Sequence, residues 1–215
     1  MQVWLNGKFI PRDAALISIF DAGFQHGVGL FETMLARNGT VFRAAAHMNR
    51  LADSAKALLL SDRLRLDPLI EAIELTLQHN DLEHARVRLT ITGGDLNLLQ
   101  SQGPRNGGAV DPTIAIVAQP PTAYPEAFFE KGVLAVIADG RDNPFSPMAG
   151  HKTLNYWPRI SALQVAAAKR AGEALWFTVS NHLAGGCVSN VFLVKDGSLL
   201  TPIARGEEQP GAIPS

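Results

Sequence analysis

Apolar positions along this chain fall into two periods, and the places where one period gives way to the other mark out its elements. Near the start, Val3-Trp4-Leu5 and Lys8-Phe9-Ile10 flank Asn6-Gly7, a residue pair that favours a tight hairpin turn. A second hairpin is predicted from Leu30-Phe31-Glu32-Thr33-Met34-Leu35 through Asn38-Gly39 to Thr40-Val41-Phe42. Between the two, residues 21–29 hold three glycines and read as a loop. From 45 to 60 the period changes, with Met48, Leu51, Ala55 and Leu58 at helical spacing. A second helix is predicted over 67–79, with Asp67 as its N-cap and Pro68 in its first turn. Arg86-Val87-Arg88-Leu89-Thr90-Ile91-Thr92 then alternates polar and apolar residues, which is the period of a strand. Gly93-Gly94 ends it, and the polar stretch to about 111 reads as a long loop of the kind that often carries function.

A strand over 113–118 closes the first half. Gln119-Pro120-Pro121-Thr122-Ala123-Tyr124-Pro125 follows, and its prolines suit an extended connector. The expected division is therefore an N-terminal α+β domain over 1–119, a linker over 120–126 and a second domain over 127–215. In that second part 133–137, 175–179 and 191–194 read as strands and 154–171 as a helix. Asp196-Gly197 is a turn before Leu199-Leu200. The overall pattern is α+β, mostly antiparallel in the first half and mixed in the second.

Composition narrows the function classes. The 215 residues are 47% hydrophobic and 18% charged, with a formal net charge of −1, so there is no basic footprint for nucleic acid. Cys187 is the single cysteine, which excludes an internal disulfide and makes a reducing compartment the default. The first residues, MQVWLNGKFIPRD, lack a signal-peptide pattern, and no apolar run has the length of a membrane helix. A cytoplasmic protein whose partner is a small molecule or another protein, with no membrane and no nucleic acid among its partners, is expected.

Several residues have chemistry to offer. Lys152 lies in His151-Lys152-Thr153-Leu154-Asn155-Tyr156, just before the predicted helix, where the positive end of the helix dipole disfavours a protonated amine. A lysine that forms a Schiff base needs that help, because only the neutral amine attacks an aldehyde. A lysine near a helix start is otherwise a solvated surface residue. Tyr156, one helical turn on, would share its face, or pack into the core. Arg50 on the first helix has the fork for a phosphate, or is simply exposed. Arg86 and Arg88 share a strand face and suit a carboxylate between them, or else form a solvated face. The glycines of Gly185-Gly186-Cys187-Val188-Ser189-Asn190 let backbone amides approach a ligand, although such turns are common. The six histidines show no metal-ligand spacing, so no metal site is expected.

The order of these residues resembles the fold-type IV enzymes that use pyridoxal 5′-phosphate (PLP): branched-chain aminotransferases, D-amino acid aminotransferases and aminodeoxychorismate lyases. Phe24-Gln25-His26-Gly27-Val28-Gly29-Leu30-Phe31-Glu32 resembles the family's substrate-facing N-terminal segment, which implies a substrate contact for Phe31. His47-Met48-Asn49-Arg50-Leu51 matches the motif whose arginine holds the PLP phosphate. Arg88, with Gly94-Asp95 following, resembles a branched-chain enzyme strand whose arginine approaches the substrate carboxylate side. Lys152-Thr153-Leu154-Asn155-Tyr156 is similar to the Schiff-base motif, the most specific element of the match. Ser189-Asn190-Val191-Phe192 with Leu200-Thr201-Pro202 resembles the stretch behind the cofactor ring.

The resemblance implies an α+β fold of two domains, the D-amino acid aminotransferase type, with its C-terminal part truncated. It implies PLP as cofactor, Lys152 as the catalytic Schiff-base lysine, and Arg50, Tyr156, Gly186, Cys187, Val188, Ser189 and Asn190 as further cofactor contacts. Substrates would be an amino acid and a 2-oxo acid, and the assembly a homodimer. Two departures stand out. The family's glutamate that keeps the pyridine nitrogen protonated is replaced by Gly185, which predicts slow or altered chemistry. Residues 206–215 carry no helix or strand signal where relatives continue, so a fragment is expected. The leading reading is an amino-acid:2-oxo-acid aminotransferase. The alternatives are an aminodeoxychorismate-type lyase releasing pyruvate and a non-catalytic family member.

Overall fold

Residues 1–95 and 112–203 are described by the structure, a computed structural model. By its internal contacts the chain forms two units. The first is Met1–Ala123 with Lys152–Leu154; the second is Tyr124–His151 with the residues from Asn155 onward.

The first unit opens with the hairpin β1 (Gln2–Leu5) and β2 (Lys8–Pro11), paired Leu5 to Lys8 across the turn. Asn6 (φ 47°) and Gly7 (φ 89°) both take the left-handed backbone that a two-residue turn demands. The sheet has six antiparallel strands in the order β2-β1-β6-β5-β3-β4, with β3 at Gly29–Arg37, β4 at Thr40–Val41, β5 at Ala85–Thr92 and β6 at Ile114–Gln119. Alternation decides which face is covered. Leu30, Met34 and Ala36 of β3, Ala85, Val87, Leu89 and Ile91 of β5, and Ile116 and Ala118 of β6 are all buried in one cluster. Onto that cluster pack α2 (Ala44–Ala57), through Met48, Leu51 and Ala55, and α3 (Leu66–His79), through Leu69, Ala72, Ile73 and Leu77. Arg86 and Arg88 point to the other face and are exposed.

Several expectations are corrected here. The glycine-bearing stretch 21–29 contains a short helix, α1 (Ala22–His26), because Asp21 caps it by accepting from Gly23 N at 2.7 Å. The N-cap of α3 is Arg65, without a side-chain cap, so Asp67 is an acidic first-turn residue rather than the cap. The Asn38-Gly39 hairpin is only two pairs long. The partner of β3 along its whole working length is β5, from Gly29↔Thr92 to Ala36↔Ala85. Most of the predicted loop that ends near 111 lies outside the described residues.

Residues 120–125, which run from the end of the first unit into the second, carry no regular structure, and α4 (Glu126–Lys131) begins directly after Pro125. A three-stranded sheet follows in the order β7-β8-β9: β7 (Ala135–Asp142) and β8 (Glu173–Thr178) are parallel, and β9 (Leu183–Gly186) is antiparallel to β8. The parallel pair is linked through α5 (Trp157–Ala168), which packs on both strands. The core beneath is made of small residues, Ala138, Ala166, Ala171, Ala174 and Ala184, around Trp176 and Cys187. The buried indole of Trp176 is satisfied by donating to Cys187 Sγ at 3.1 Å. A hairpin of β10 (Leu193–Lys195) and β11 (Ser198–Leu200) turns at Asp196-Gly197. The helix expected from 154 starts only at Trp157, with Pro158 in its first turn, and the glycines at 185–186 end a strand rather than make a free turn.

Gly29 sits where the backbone of β5 and the segment 152–154 close in on β3. A Cβ there would collide with the Ile91 carbonyl oxygen and lie 2.6 Å from Leu154 Cδ1. Gly29→Ala is therefore expected to destabilise the protein by about 1–3 kcal/mol, the usual cost of overpacking. Urea unfolding should show a lower midpoint at an unchanged slope, and an unchanged midpoint would show that the neighbours yield freely.

Candidate active site

The first half of the site is built on an open sheet edge. Since β4 pairs only with Ala36 and Arg37, the Gly29–Thr33 stretch of β3 has one side without a neighbouring strand from the sheet. Residues 152–154 fill it. Phe31 N donates to Lys152 O at 2.9 Å, Leu154 N donates to Gly29 O at 2.9 Å, and Leu30 forms a bridge with Thr153. This antiparallel register sets Lys152 opposite Phe31, and opposite residues share a face. Lys152 Nζ accordingly lies 4.6 Å from the Phe31 ring centroid. Arg88 stands opposite Thr33, hence diagonal to Phe31, and its Cζ is 3.9 Å from the same centroid. The structure thus brings Lys152, Phe31 and Arg88 together around one ring, on the sheet face that α2 and α3 leave uncovered. Arg86 instead reaches Gln119 Oε1 at 3.4 Å.

The helix-dipole reading of Lys152 does not survive this geometry. Lys152 lies in an extended segment, and α5 begins five residues later because Pro158 suits only a first turn. The amine lies over the face of the Phe31 ring instead of at a helix terminus. For the same reason Tyr156 is not one helical turn beyond Lys152; it is the N-cap of α5.

On the opposite face of β3, Glu32 occupies a position between Leu30 and Met34 that alternation assigns to the core. It is 1% exposed. Two residues of α2, three apart and hence on one side of the helix, meet its carboxylate. Arg50 Nε donates to Oε1 at 2.7 Å, Arg50 Nη2 donates to Oε2 at 2.5 Å, and His47 Nδ1 lies 2.8 Å from Oε2. With a carboxylate as acceptor, the His47 proton is on Nδ1. Burial pushes the Glu32 pKa up, but the hydrogen bonds from His47 and Arg50, with the Arg50 charge, bring it below the ordinary glutamate value. The hydrogen bond to Glu32 in turn raises that of Arg50.

The second unit supplies the remaining candidates. Tyr156 donates its hydroxyl to Cys187 O at 2.7 Å. Cys187 N (3.0 Å) and Ser189 Oγ (2.6 Å) donate to Glu173, which also accepts from Ala174 N at 2.9 Å. Gly186 N donates to Ser189 O at 3.0 Å, which folds 186–189 into a tight loop. The amides of 187–188, read from sequence as ligand contacts, thus converge on the chain's own carboxylate. Burial pushes the Glu173 pKa up, and the bonds from Ser189, Ala174, Cys187 and Val188 more than reverse this. Gly186 O accepts from Arg159 Nη1 at 2.7 Å, and Arg159 Nη2 donates to Asp142 Oδ2 at 2.6 Å. Cys187 is buried and burial pushes its thiol pKa up, which suits packing rather than nucleophilic work. Val188 and Asn190 are exposed.

Sequence reasoning missed Glu32, His47, Glu173, Asp142 and Arg159. Glu32 did carry a signal: it is a charged residue in the buried register of Leu30, Met34 and Ala36, and Arg50 lies one turn after His47 on α2. Glu173, Asp142 and Arg159 carry no comparable signal: Glu173 is held mainly by the 187–189 loop, and Asp142 and Arg159 pair with each other across a separation that no local period links.

This two-unit α+β architecture is that of the fold-type IV enzymes. It superposes on the crystal structure of Escherichia coli branched-chain amino acid aminotransferase with a TM-score of 0.84 at 27% identity, covering 94% of this chain and 67% of that one. The chain belongs to the amino-transferase class IV family, whose model matches residues 29–211, and that family consists of PLP-dependent enzymes. Over 205 residues it is 35% identical to a Methanocaldococcus jannaschii protein named as a branched-chain-amino-acid aminotransferase, covering 94% of this chain and 68% of that protein. It also resembles the 4-amino-4-deoxychorismate lyase of Pseudomonas aeruginosa, with a TM-score of 0.73 at 27% identity, covering 94% and 70%. The chain thus spans about two thirds of the length of the relatives it matches.

In the first unit the amine of Lys152 is of a kind that suits an aldehyde and the guanidinium of Arg50 one that suits a phosphate; in the second, the phenol of Tyr156 is of a kind that suits a phenolic oxygen. At Gly185 the φ of 151° is one that side-chain-bearing residues rarely adopt, and a Cβ there would approach only Ser189 O, at 3.8 Å. Glu173, the carboxylate bound to this loop, is taken up by the loop itself.

Because the folded-state pKa of Glu173 is depressed, its contribution to stability is present above the ordinary glutamate value and is lost as pH falls through the folded one. Glu173→Gln should therefore flatten the acid limb of the stability curve, measured as urea midpoints from neutral pH downward. An unaltered slope would show that the loop's hydrogen bonds do not hold the carboxylate ionised.

Proposed function

We propose that this chain binds PLP through Lys152 and transfers an amino group between an amino acid and a 2-oxo acid of the branched-chain or D-amino acid type. The observation that carries the reading is the placement of Lys152 by the β3 edge, its amine over the Phe31 ring that Arg88 also contacts, in a member of the class IV family. When bound, the cofactor supplies an electron sink for the bonds at the substrate Cα. Lys152 would hold the aldehyde carbon and, with the same nitrogen, move the proton at Cα. Arg50 would take the phosphate, and Gly186, Cys187, Val188, Ser189 and Asn190 would border the cofactor. Tyr156 would serve the phenolic oxygen, for which its hydroxyl proton must turn from Cys187 O. Phe31 would wall the substrate side, and Arg88 would meet a substrate carboxylate. A dimer and a cytoplasmic location belong to the same reading.

Gly185 leaves the pyridine nitrogen without the carboxylate that would keep it protonated, which weakens stabilisation of negative charge at Cα. We therefore infer a transaminase slower than its relatives. A protonated ring nitrogen in the bound cofactor, measured by 15N NMR, or family-like rates would overturn this. The likeness to the P. aeruginosa enzyme supports a second reading, lyase chemistry by the same lysine, and Gly185 supports a third, a binder without turnover.

The deciding measurement is visible absorbance on titration with PLP. A band in the parent that Lys152→Ala abolishes is expected. Amino acids should then shift the band, with a 2-oxo acid restoring it. Pyruvate released from aminodeoxychorismate without any acceptor would establish the lyase instead. A band that no amino acid moves would establish the non-catalytic reading.

A further inference from the structure

The buried carboxylate of Glu32 has no part in the reading above, yet burying an ionised group is among the costlier things a fold does unless it is fully paired. Here it is paired on both oxygens, and the pairing is selective. Of the three nitrogens on the Arg50 guanidinium, Nε and Nη2 lie on the side-on edge that Glu32 occupies, at 2.7 and 2.5 Å. The third, Nη1, makes no hydrogen bond among the described residues. His47 Nδ1 sits 2.8 Å from Oε2 and 3.3 Å from Arg50 Nη2, so it closes the remaining approach to the same oxygen. The side chains of Arg50 and His47 are 37% and 22% exposed, against 1% for Glu32. The assembly is therefore a buried anchor with its cationic end toward solvent.

We propose that Glu32, seconded by His47, is a positioning residue for phosphate capture. It holds the long side chain of Arg50 in one orientation and leaves the Nη1 end for one oxygen of a phosphate monoester. This role rests on Arg50 serving as the phosphate ligand. Two effects oppose each other. The negative charge of Glu32 offsets that of Arg50 and so weakens the long-range pull on an anion. Against that, an arginine side chain loses rotamer freedom when it grips a ligand, and Glu32 has already removed that freedom before the ligand arrives. Arg50 is partly solvated, so the long-range charge effect is screened while the orientation effect at contact is not. Orientation wins.

The test compares affinities for PLP and for pyridoxal, which differ only in the phosphate, by fluorescence titration of the 215-residue chain and its variants. Glu32→Gln keeps the shape but turns an amide N–H toward a guanidinium N–H. It is expected to weaken PLP binding by about tenfold or more, the scale of one misplaced charge-assisted hydrogen bond, and to leave pyridoxal binding unchanged. Arg50→Ala should remove the preference for PLP altogether, and inorganic phosphate should compete in the parent but not in that variant. Equal loss for both ligands in Glu32→Gln would make Glu32 a merely structural residue. Tighter PLP binding would show that charge and not orientation governs the site. Either result overturns the inference while leaving Arg50 in place. A parent that does not prefer PLP overturns the phosphate reading of Arg50 and this one with it. If Glu32→Gln does not fold, the parent still decides the matter. The Arg50 Nε–H resonance should stay protected from exchange and shift with PLP but not with pyridoxal. Loss of its protection when PLP binds would show that Glu32 releases the guanidinium, and the inference would fall.

Discussion

The arrangement of this protein hangs on backbone pairing between residues 152–154 and the edge of β3. Two main-chain hydrogen bonds and one bridge fix a register in which side chains alternate, and everything chemical on that side of the first unit follows from the alternation. Lys152 meets Phe31 because they are opposite. Leu154 needs the space that Gly29 leaves empty. A slip of one residue would turn Thr153 to the ring face and bury the lysine against the helix-covered side, at a large desolvation cost. The pairing also accounts for β4 being so short: a longer strand there would occupy the edge that 152–154 require.

The two faces of β3 have been given opposite tasks. One carries a ring with two cations near it and stays partly open. The other is an apolar layer under two helices, into which one carboxylate has been set. A lone buried carboxylate in such a layer would be strongly unfavourable, so Glu32, His47 and Arg50 stand or fall together. Their coupling energies are not expected to add as independent substitutions would. The second unit solves a similar problem differently. It gathers backbone amides and a serine hydroxyl around Glu173, which ties the 186–189 loop to the first residue of β8 without using a second charged side chain.

Much of the fold was legible in the sequence because the controlling interactions are local. The Asn6-Gly7 turn, the alternation in β5 and the helical spacing of Met48, Leu51 and Ala55 all act within one element. The family was legible too, since the order of its motifs survives along the chain. What escaped depends on distant partners. The strand β9 reads as a glycine-rich loop until β8 supplies its hydrogen bonds. Helical periodicity blurs into the 154–156 stretch, where Pro158 and not Tyr156 governs the start of α5. Lys152 read as a residue near a helix because the edge it pairs with lies more than a hundred positions earlier.

That separation bears on how the protein is made. Contacts between distant parts of a chain form slowly, because a long loop must close before they contribute anything. On the ribosome β3 emerges with its edge unpaired, and more than a hundred further residues must be synthesised before 152–154 arrive to cover it. An uncovered strand edge is where chains of the same kind pair with one another. The segment that carries Lys152 is thus also the last guard of that edge, and translation that stalls before it would yield a product disposed to aggregate.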